Sequence, residues 1–252
     1  MSTGQESRRR VVVITGTSRG IGYHLARRFL ADGYQVIGIS RSPTPLDDPN
    51  FRALKADVGD MDQVKGLSQV LEPEPIVGLI NNAGIHGPIG PFETAPLQEW
   101  VHTFYVNLFG AAALTQLCIP SLRRHRGFIT FLSGGGSAFP KPEFSPYGVS
   151  KTAVVRFAEV LASELAPDVL VYCVAPGPNR TQLLDEAVRG GEALDESALV
   201  DFGYPERLCA FLAANRDPRY SGKFIHVRDN YAEWDDSQLA PDAHTLRRIK
   251  VT

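Results

Sequence analysis

The sequence predicts a single α/β domain built on a doubly wound parallel sheet of about seven strands, with helices on both faces. The length of 252 residues suits one large domain. Short apolar runs rich in β-branched residues alternate with helical patterns along the chain, which requires right-handed crossovers between parallel strands. Small-residue turns and reactive polar side chains recur where the strands end. These ends share one rim of a parallel sheet, where ligands bind.

Composition and charge limit the partners that we expect. A net charge of −2 gives no reason to expect nucleic acid. Apolar runs all stop short of the roughly 18 residues of a membrane span, so we expect no membrane partner. Residues 1–10 are polar and predict a disordered lead. The three cysteines are far apart and match no metal spacing. They indicate reduced thiols, a cytoplasmic protein and no metal site.

A strand predicted at residues 11–15 runs directly into a glycine-rich turn, and a helical pattern follows. The glycines are Gly16, Gly20 and Gly22. A strand, a glycine turn and a helix form the context of a dinucleotide site, because the helix N-terminus offers free N–H groups and a positive dipole to a pyrophosphate. The spacing is not that of the general G-x-G-x-x-G fingerprint, so a turn without a ligand remains an alternative.

The residues at the end of the second strand, residues 34–39, favour a phosphorylated dinucleotide. An acidic residue near this point would hold a ribose 2′-OH, whereas an arginine accommodates a 2′-phosphate. The chain has Arg41 here, and Arg19 lies inside the glycine turn. Both favour NADP(H), and two solvated arginines are the alternative.

The next strands deliver further small and polar residues to the same rim. A third strand is predicted at residues 51–56, a helix at 61–71 and a fourth strand at 76–80. The fourth strand ends in the turn Asn81-Asn82-Ala83-Gly84. An ordinary turn with no ligand is the alternative to a site here.

A long helix is predicted over residues 97–125, because apolar residues recur there at helical spacing. Asn107 interrupts the apolar pattern with an amide. A buried amide must be paired, so Asn107 is either a structural strut or part of a site. The fifth strand, residues 127–132, places Ser133 at its carboxyl end.

Tyr147 and Lys151 predict an acid–base pair at the start of the following helix. Ser145 suits the N-cap and Pro146 the first helical position. Residues i and i+4 lie on one helix face. A free tyrosine has a pKa of about 10, and a neighbouring cation and the helix dipole would lower it. The phenol could then exchange a proton with a substrate oxygen. A structural tyrosine beside a solvated lysine is the alternative.

The rest of the chain completes the sheet and adds two irregular segments. A sixth strand is predicted at residues 169–174, a helix at 205–214 and a seventh strand at 223–227. The polar residues 182–203 are either a lid over a substrate or a surface loop. We assign residues 11–230 to the domain and 231–252 to a C-terminal tail.

Taken together, these motifs resemble those of the short-chain dehydrogenase/reductase family, in its branch of about 250 residues. The resemblance covers about residues 10–228 and implies a Rossmann-type fold. The motifs that carry it are Thr15-Gly16-x-x-x-Gly20-x-Gly22, Asn81-Asn82-Ala83-Gly84, Asn107, Ser133, Tyr147-x-x-x-Lys151 and Pro176-Gly177.

The resemblance implies roles for the catalytic residues. Tyr147 would be the general acid and base, and Ser133 would hold the substrate oxygen. Lys151 would bind the nicotinamide ribose and lower the pKa of Tyr147. Asn107 would hold a water in a proton relay. The residues implied to bind NADP(H) are Gly16, Ser18, Arg19, Gly20, Ile21, Arg41, Asp57, Val58, Asn82, Ala83, Gly84, Tyr147, Lys151, Pro176, Gly177, Asn179 and Thr181.

The implied activity is interconversion of a ketone and a secondary alcohol, most simply ketone reduction, on a small, polar, sugar-like or biosynthetic substrate. The family also implies a homodimer or homotetramer. Two departures qualify the resemblance: Asn179 stands where Ile or Val is usual, and residues 221–230 differ from the family's SGxxxxVDGG. A non-catalytic NADP-binding sensor or scaffold is the alternative. An epimerase or dehydratase would have a different glycine spacing and a longer chain.

Overall fold

A computed structural model describes residues 9–247 of the chain. The disordered lead is predicted over residues 1–10, of which residues 1–8 come before the described part. The last residues of the tail, 248–252, come after it. Both of these stretches lie outside the described residues.

The sheet has seven parallel strands in the order β3-β2-β1-β4-β5-β6-β7. Each strand end lies within one residue of its predicted position, so the predicted doubly wound sheet is confirmed. The order reverses between β1 and β4, which is the point where such sheets bind ligands. The strands are β1 Val11–Thr15, β2 Gln35–Ser40, β3 Phe51–Lys55, β4 Ile76–Asn81, β5 Phe128–Leu132, β6 Leu170–Ala175 and β7 Phe224–His226.

Helices pack on both faces of the sheet. On one face, Leu114 and Val155 pack with Ile129 of the sheet. On the other, Phe29 and Leu208 pack in the same cluster as Tyr172. The helices are α1 Gly20–Ala31, α2 Met61–Gly66, α3 Ser68–Leu71, α4 Leu97–Phe104, α5 Gly110–Arg124, α6 Ser145–Leu165, α7 Gln182–Arg189 and α8 Gly203–Asn215.

The helix predicted over residues 97–125 is interrupted by a wide π-helical turn, Tyr105–Phe109, between α4 and α5. Such turns often occur at functional sites, and this one contains Asn107. The helix predicted over residues 61–71 is likewise divided, into α2 and α3. Among the described residues, one helical segment, Leu97–Arg124, is long and apolar enough to cross a membrane. Half of its most apolar stretch is buried inside the fold.

The segment of residues 182–203 is partly helical. It contains α7 and a short 3-10 turn, Glu196–Ala198. The described part of the tail packs beside β7, since the Phe224 N–H donates to the His244 carbonyl at 2.8 Å. The three cysteines are buried and form no disulfide.

Candidate active site

A cavity of about 670 Å³ opens at the carboxyl ends of the strands, where the strand order reverses. The structure brings together Ser133, Tyr147, Lys151 and every residue that the sequence predicts to bind NADP(H), because all of them line this cavity. Asn107 is the exception among the predicted residues and does not line it.

The glycine turn shapes one wall of the cavity. Gly16 and Gly20 have φ values of +75° and +55°, which side chains rarely adopt. A Cβ on Gly22 would lie 2.2 Å from the Gly16 carbonyl oxygen, so the helix can approach the strand only with glycine here. The first turn of α1 has no side-chain cap and no acidic residue. Its N–H groups therefore remain available to an anion, and this cradle fits a pyrophosphate.

Thr15 and Asn82 join the end of β1 to the end of β4. The Thr15 hydroxyl oxygen accepts from the backbone N–H groups of Asn82 at 3.0 Å and Ala83 at 2.9 Å. The Asn82 amide donates back to the Thr15 carbonyl at 2.8 Å. This exchange fixes the backbone on both sides of the cavity.

Two arginines lie at the outer part of the cavity. Arg41 follows β2, and its guanidinium is 3.6 Å from the Asp57 carboxylate. Asp57 also accepts from the Gly59 N–H at 2.8 Å, so the loop after β3 holds this carboxylate in place. Arg41 is flanked by Ser40 and Ser42. No carboxylate follows directly on β2 to bind a ribose 2′-OH. The neighbouring carboxylate, Asp57, comes from the loop after β3 and is paired with Arg41.

Tyr147 lies in the first turn of α6, although the helix start differs from the prediction. The N-cap is Phe144, and Ser145 is already helical. The Ser145 hydroxyl instead accepts from the Trp100 indole N–H at 3.0 Å. Ser145 therefore ties α6 to α4 and does not cap its own helix.

The expected lowering of the Tyr147 pKa is not found in this structure. Burial raises the pKa of Tyr147 to about 12, and the Glu192 carboxylate acts in the same direction. The Lys151 ammonium is 6.0 Å from the centre of the phenol ring, and its attraction does not offset the loss of solvation. Tyr147 is thus held protonated, which suits a proton donor.

Lys151 lies on α6, four residues after Tyr147, and is almost fully buried. Its ammonium donates to the Leu132 carbonyl at 2.8 Å. Burial lowers the pKa of Lys151 to about 8, because water no longer stabilises the charge. The ammonium is still charged at neutral pH and lies beside the cavity.

Ser133 is buried at the end of β5, and its hydroxyl is already engaged. Its oxygen is 2.9 Å from the Ser137 hydroxyl and 3.1 Å from the Lys151 carbonyl. Ser137 in turn donates to the Gly134 carbonyl. A hydroxyl has one proton, so Ser133 must turn away from these groups to donate to a substrate oxygen.

Asn107 acts as a strut behind the cavity. Its amide oxygen accepts from the Ile85 N–H at 2.9 Å. Its NH₂ group donates to the Ile85 carbonyl and to the Ser150 hydroxyl, both at 2.9 Å. A Cβ on Gly84 would lie 3.2 Å from the Lys151 ammonium and 3.3 Å from the Asn107 amide oxygen. Gly84 therefore keeps space open between these two groups.

Asn179, at the position where an aliphatic residue is usual, makes hydrogen bonds that an aliphatic side chain could not make. Its amide donates to the carbonyls of Pro176 at 2.8 Å and Gly177 at 2.9 Å. It thereby fixes the turn after β6. Thr181 accepts from the Leu184 N–H at 3.2 Å and caps α7.

The structure also shows residues that the sequence reasoning missed. A Cβ on Gly134 would lie 2.3 Å from the Tyr147 hydroxyl oxygen, so this glycine leaves room for the phenol. His86 packs against Tyr147. Lys141 and Glu192, 2.7 Å apart, join the loop after β5 to residues 182–203. A histidine two residues after the Asn82-Ala83-Gly84 turn was the one available signal, since the others depend on tertiary contacts.

Comparison with known proteins agrees with this geometry. A yeast (Saccharomyces cerevisiae) benzil reductase, (S)-benzoin forming, is 31% identical over 92% of this chain and 98% of its own. The ligand-free aldohexose dehydrogenase of Thermoplasma acidophilum is 28% identical with a TM-score of 0.79, over 87% of this chain and 92% of its own. A Beutenbergia cavernae structure with NADP bound at low occupancy is 25% identical with a TM-score of 0.78, over 86% of this chain and 94% of its own.

The family model described as short chain dehydrogenase matches residues 10–190, which include the glycine turn, Asn82, Ser133, Tyr147 and Lys151. With this match, the yeast relative and the site geometry, the chain belongs to the short-chain dehydrogenase/reductase family and is an oxidoreductase of that family.

Proposed function

We propose that the protein is an NADP(H)-dependent ketoreductase that acts on a small, polar substrate. The observation that carries the proposal is the convergence of Tyr147, Ser133 and Lys151 on one cavity whose outer part is lined by Arg19 and Arg41. The named substrates of two similar proteins, benzil and an aldohexose, each carry more than one oxygen. The aldohexose supports a polar substrate here, whereas benzil, with its two phenyl rings, supports only a substrate with a second oxygen.

The glycine turn and the two arginines would hold the cofactor. The open N–H groups of α1 suit the pyrophosphate. Arg41 and Arg19 suit a 2′-phosphate, since guanidinium groups bind phosphate with charge-assisted hydrogen bonds. When bound, NADPH supplies the hydride.

The chain's own side chains would stabilise the developing oxyanion and deliver the proton. Tyr147 is protonated because of its raised pKa, so it can donate first a hydrogen bond and then its proton to the substrate oxygen. Ser133, once turned from the Lys151 carbonyl, donates a second hydrogen bond. The Lys151 charge favours the phenolate that remains on Tyr147.

Parallel fluorescence titrations with NADPH and NADH test the cofactor assignment. We expect tighter binding of NADPH in the native protein, and we expect Arg41→Ala to weaken NADPH binding about tenfold or more while changing NADH binding little. Equal affinities for the two cofactors, unaltered by Arg41→Ala, would contradict the assignment.

Turnover of a ketone panel with NADPH, in the native protein and in Tyr147→Phe, tests the activity. We expect Tyr147→Phe to lose at least about 100-fold in kcat and to keep its affinity for NADPH. Binding of NADPH without turnover of any ketone by the native protein would instead favour the non-catalytic sensor or scaffold.

We also propose that a second copy of the chain covers an apolar stripe on the molecule. Leu97, Val101, Tyr105 and Phe109 are exposed at intervals of four residues along α4 and the π turn. An exposed apolar stripe of this kind suits a two-fold dimer, in which the same surface of each copy meets the other. Sedimentation analysis should give a dimer or tetramer, and Val101→Glu combined with Phe109→Glu should shift it toward monomer. A native monomer at all concentrations would refute this proposal.

A further inference from the structure

His86 lies against the proposed proton donor and lines the same cavity. It follows β4 by five residues and is 6% exposed. Its ring meets the Tyr147 ring edge-on, with centroids 4.7 Å apart and planes at 74°. The Phe144 ring contacts it from another side, with centroids 5.5 Å apart. These contacts fix the imidazole plane beside the position where a substrate oxygen would meet Tyr147.

The hydrogen-bonding state of His86 is incomplete. Its Nδ1 atom is fully buried and has no hydrogen-bond partner among the described residues. Burial, and then the nearby charges of Lys141 and Lys151, lower the pKa of His86 to about 4. The imidazole is therefore neutral near pH 7, with one donor and one acceptor nitrogen.

The unpartnered Nδ1 determines which nitrogen carries the proton. A buried N–H without a partner is rarer than a bare acceptor, so Nδ1 is best left as the acceptor and Nε2 carries the hydrogen. Nδ1 is closed off from solvent, which leaves Nε2–H as the group that His86 can offer to a ligand in the cavity.

The charges around His86 favour an uncharged ligand. Lys141, which borders this end of the cavity, is paired with Glu192 at 2.7 Å. On the facing α7, Gln182 donates to Glu186 at 3.0 Å. A substrate carboxylate or phosphate would meet the carboxylates of Glu186 and Glu192 here. The two cations near His86 already have partners, since Lys141 is paired with Glu192 and the Lys151 ammonium donates to the Leu132 carbonyl. A hydroxyl or carbonyl oxygen would need only a hydrogen-bond donor.

We propose that His86 is a specificity-determining residue that donates a hydrogen bond to a second, uncharged oxygen of the substrate, on the carbon next to the reacting carbonyl. The substrate class is then vicinal diketones and α-hydroxy ketones. The His86 and Tyr147 ring centroids are 4.7 Å apart, so we infer that the two side chains bind oxygens on neighbouring carbons of the substrate. This inference rests on the proposed ketone reduction and names its substrate class.

The test compares two ketones that differ in one oxygen, 3-hydroxybutan-2-one and butan-2-one, with NADPH. The measured quantity is the ratio of their kcat/KM values, and the variants are His86→Phe and His125→Phe. Phenylalanine keeps the ring contacts and removes the donor, so we expect the ratio to fall about tenfold. The ratio should not change in His125→Phe, which alters a histidine at the end of α5 outside the cavity lining. Differences in intrinsic ketone reactivity cancel, since each variant is compared with the native protein.

His86→Gln is a second variant that retains an N–H donor. Its ratio of kcat/KM values should lie closer to that of the native protein than the ratio of His86→Phe does. It also replaces His86→Phe in the test if the phenylalanine variant does not fold. An equal ratio in native protein, His86→Phe and His86→Gln would overturn the inference and leave the ketoreductase proposal intact.

A binding measurement separates the inference from the proposed function. In ¹⁵N-histidine-labelled protein saturated with NADP⁺, 3-hydroxybutan-2-one should shift the His86 ring resonances, and butan-2-one should shift them less. A shift without turnover of any ketone would refute the proposed activity and support the binding role of His86. The absence of both a selective shift and turnover would overturn both.

Discussion

At the scale of single residues, Lys151 shows a conflict between stability and function. Its pKa is lowered to about 8 by burial, whereas an unfolded lysine titrates near 10.4. The folded state thus disfavours the charge that catalysis needs. The destabilisation is fully present below about pH 8 and disappears as the pH rises toward about 10.4, because in that window the unfolded chain binds more protons.

Lys151→Met should therefore abolish ketone reduction and stabilise the fold at pH 7. We expect the free energy of unfolding to rise by about 1 kcal/mol or more, which raises Tm by about 2–4 °C. Thermal unfolding at pH 7 and pH 10 measures this, and the difference from the native protein should shrink at pH 10. A less stable variant at pH 7 would mean that the hydrogen bond to Leu132 outweighs the cost of burying the charge.

Gly134 is required by the position of the Tyr147 hydroxyl. A Cβ at this position would lie 2.3 Å from that oxygen, so Gly134→Ala must displace the phenol. We expect kcat to fall about 100-fold, the cost of misplacing a reacting group by about 1 Å. Gly135→Ala is the matched control, because its Cβ would meet nothing within 4 Å. Steady-state kinetics of both variants test this, and equal losses would contradict it.

At the scale of secondary-structure elements, the π turn joins three parts of the site. Asn107 in this turn binds the loop after β4 through Ile85 and binds α6 through Ser150. Losing Asn107 leaves the half-buried Ile85 N–H and carbonyl without partners, and each such group costs about 1–3 kcal/mol. The Ser150 hydroxyl loses one partner but still donates to the Tyr147 carbonyl at 2.9 Å.

Asn107→Leu should thus lower the free energy of unfolding by about 2 kcal/mol or more. Ser150→Ala removes the hydrogen bond from Asn107 and the one that Ser150 donates to the Tyr147 carbonyl. It leaves both Ile85 groups paired, so it should cost less, about 1 kcal/mol. Denaturant unfolding of the two variants gives the comparison. Similar small losses in both would show that Asn107 is not a structural strut, and its role would then have to lie in catalysis alone.

The sequence predicted the regular elements well, because their signals are local. β1 reads as five consecutive apolar or β-branched residues and is buried throughout. The π turn was missed since its residues, Tyr-Val-Asn-Leu-Phe, continue the helical pattern on either side of it. The direction of the Tyr147 pKa was wrong because sequence spacing reveals the neighbouring cation but not the burial. The role that we infer for His86 depends on the unpartnered Nδ1, which no sequence pattern shows.

At the scale of the whole molecule, the C-terminal tail completes the fold beside β7. Edge strands present unpaired backbone groups that promote aggregation unless they are covered. Here the Phe224 N–H donates to the His244 carbonyl at 2.8 Å. The buried Lys223 ammonium donates to the carbonyls of Ala240 at 2.6 Å and Ala243 at 2.9 Å. Trp234 stacks between Tyr220 and His244, so one side chain connects the body of the domain to the tail.

Trp234→Ala should release the tail from the sheet edge. We expect the free energy of unfolding to fall by about 2–3 kcal/mol and Tm by about 5–10 °C. The loss is smaller than for a fully buried tryptophan, because Trp234 is only partly buried. The uncovered edge of β7 should also cause aggregation that increases with protein concentration. Thermal unfolding and light scattering test both expectations, with Phe139→Ala as the control since that ring is 75% exposed. If Trp234→Ala unfolded at the native temperature without aggregation, the tail would be a peripheral appendage and β7 would be protected by other contacts.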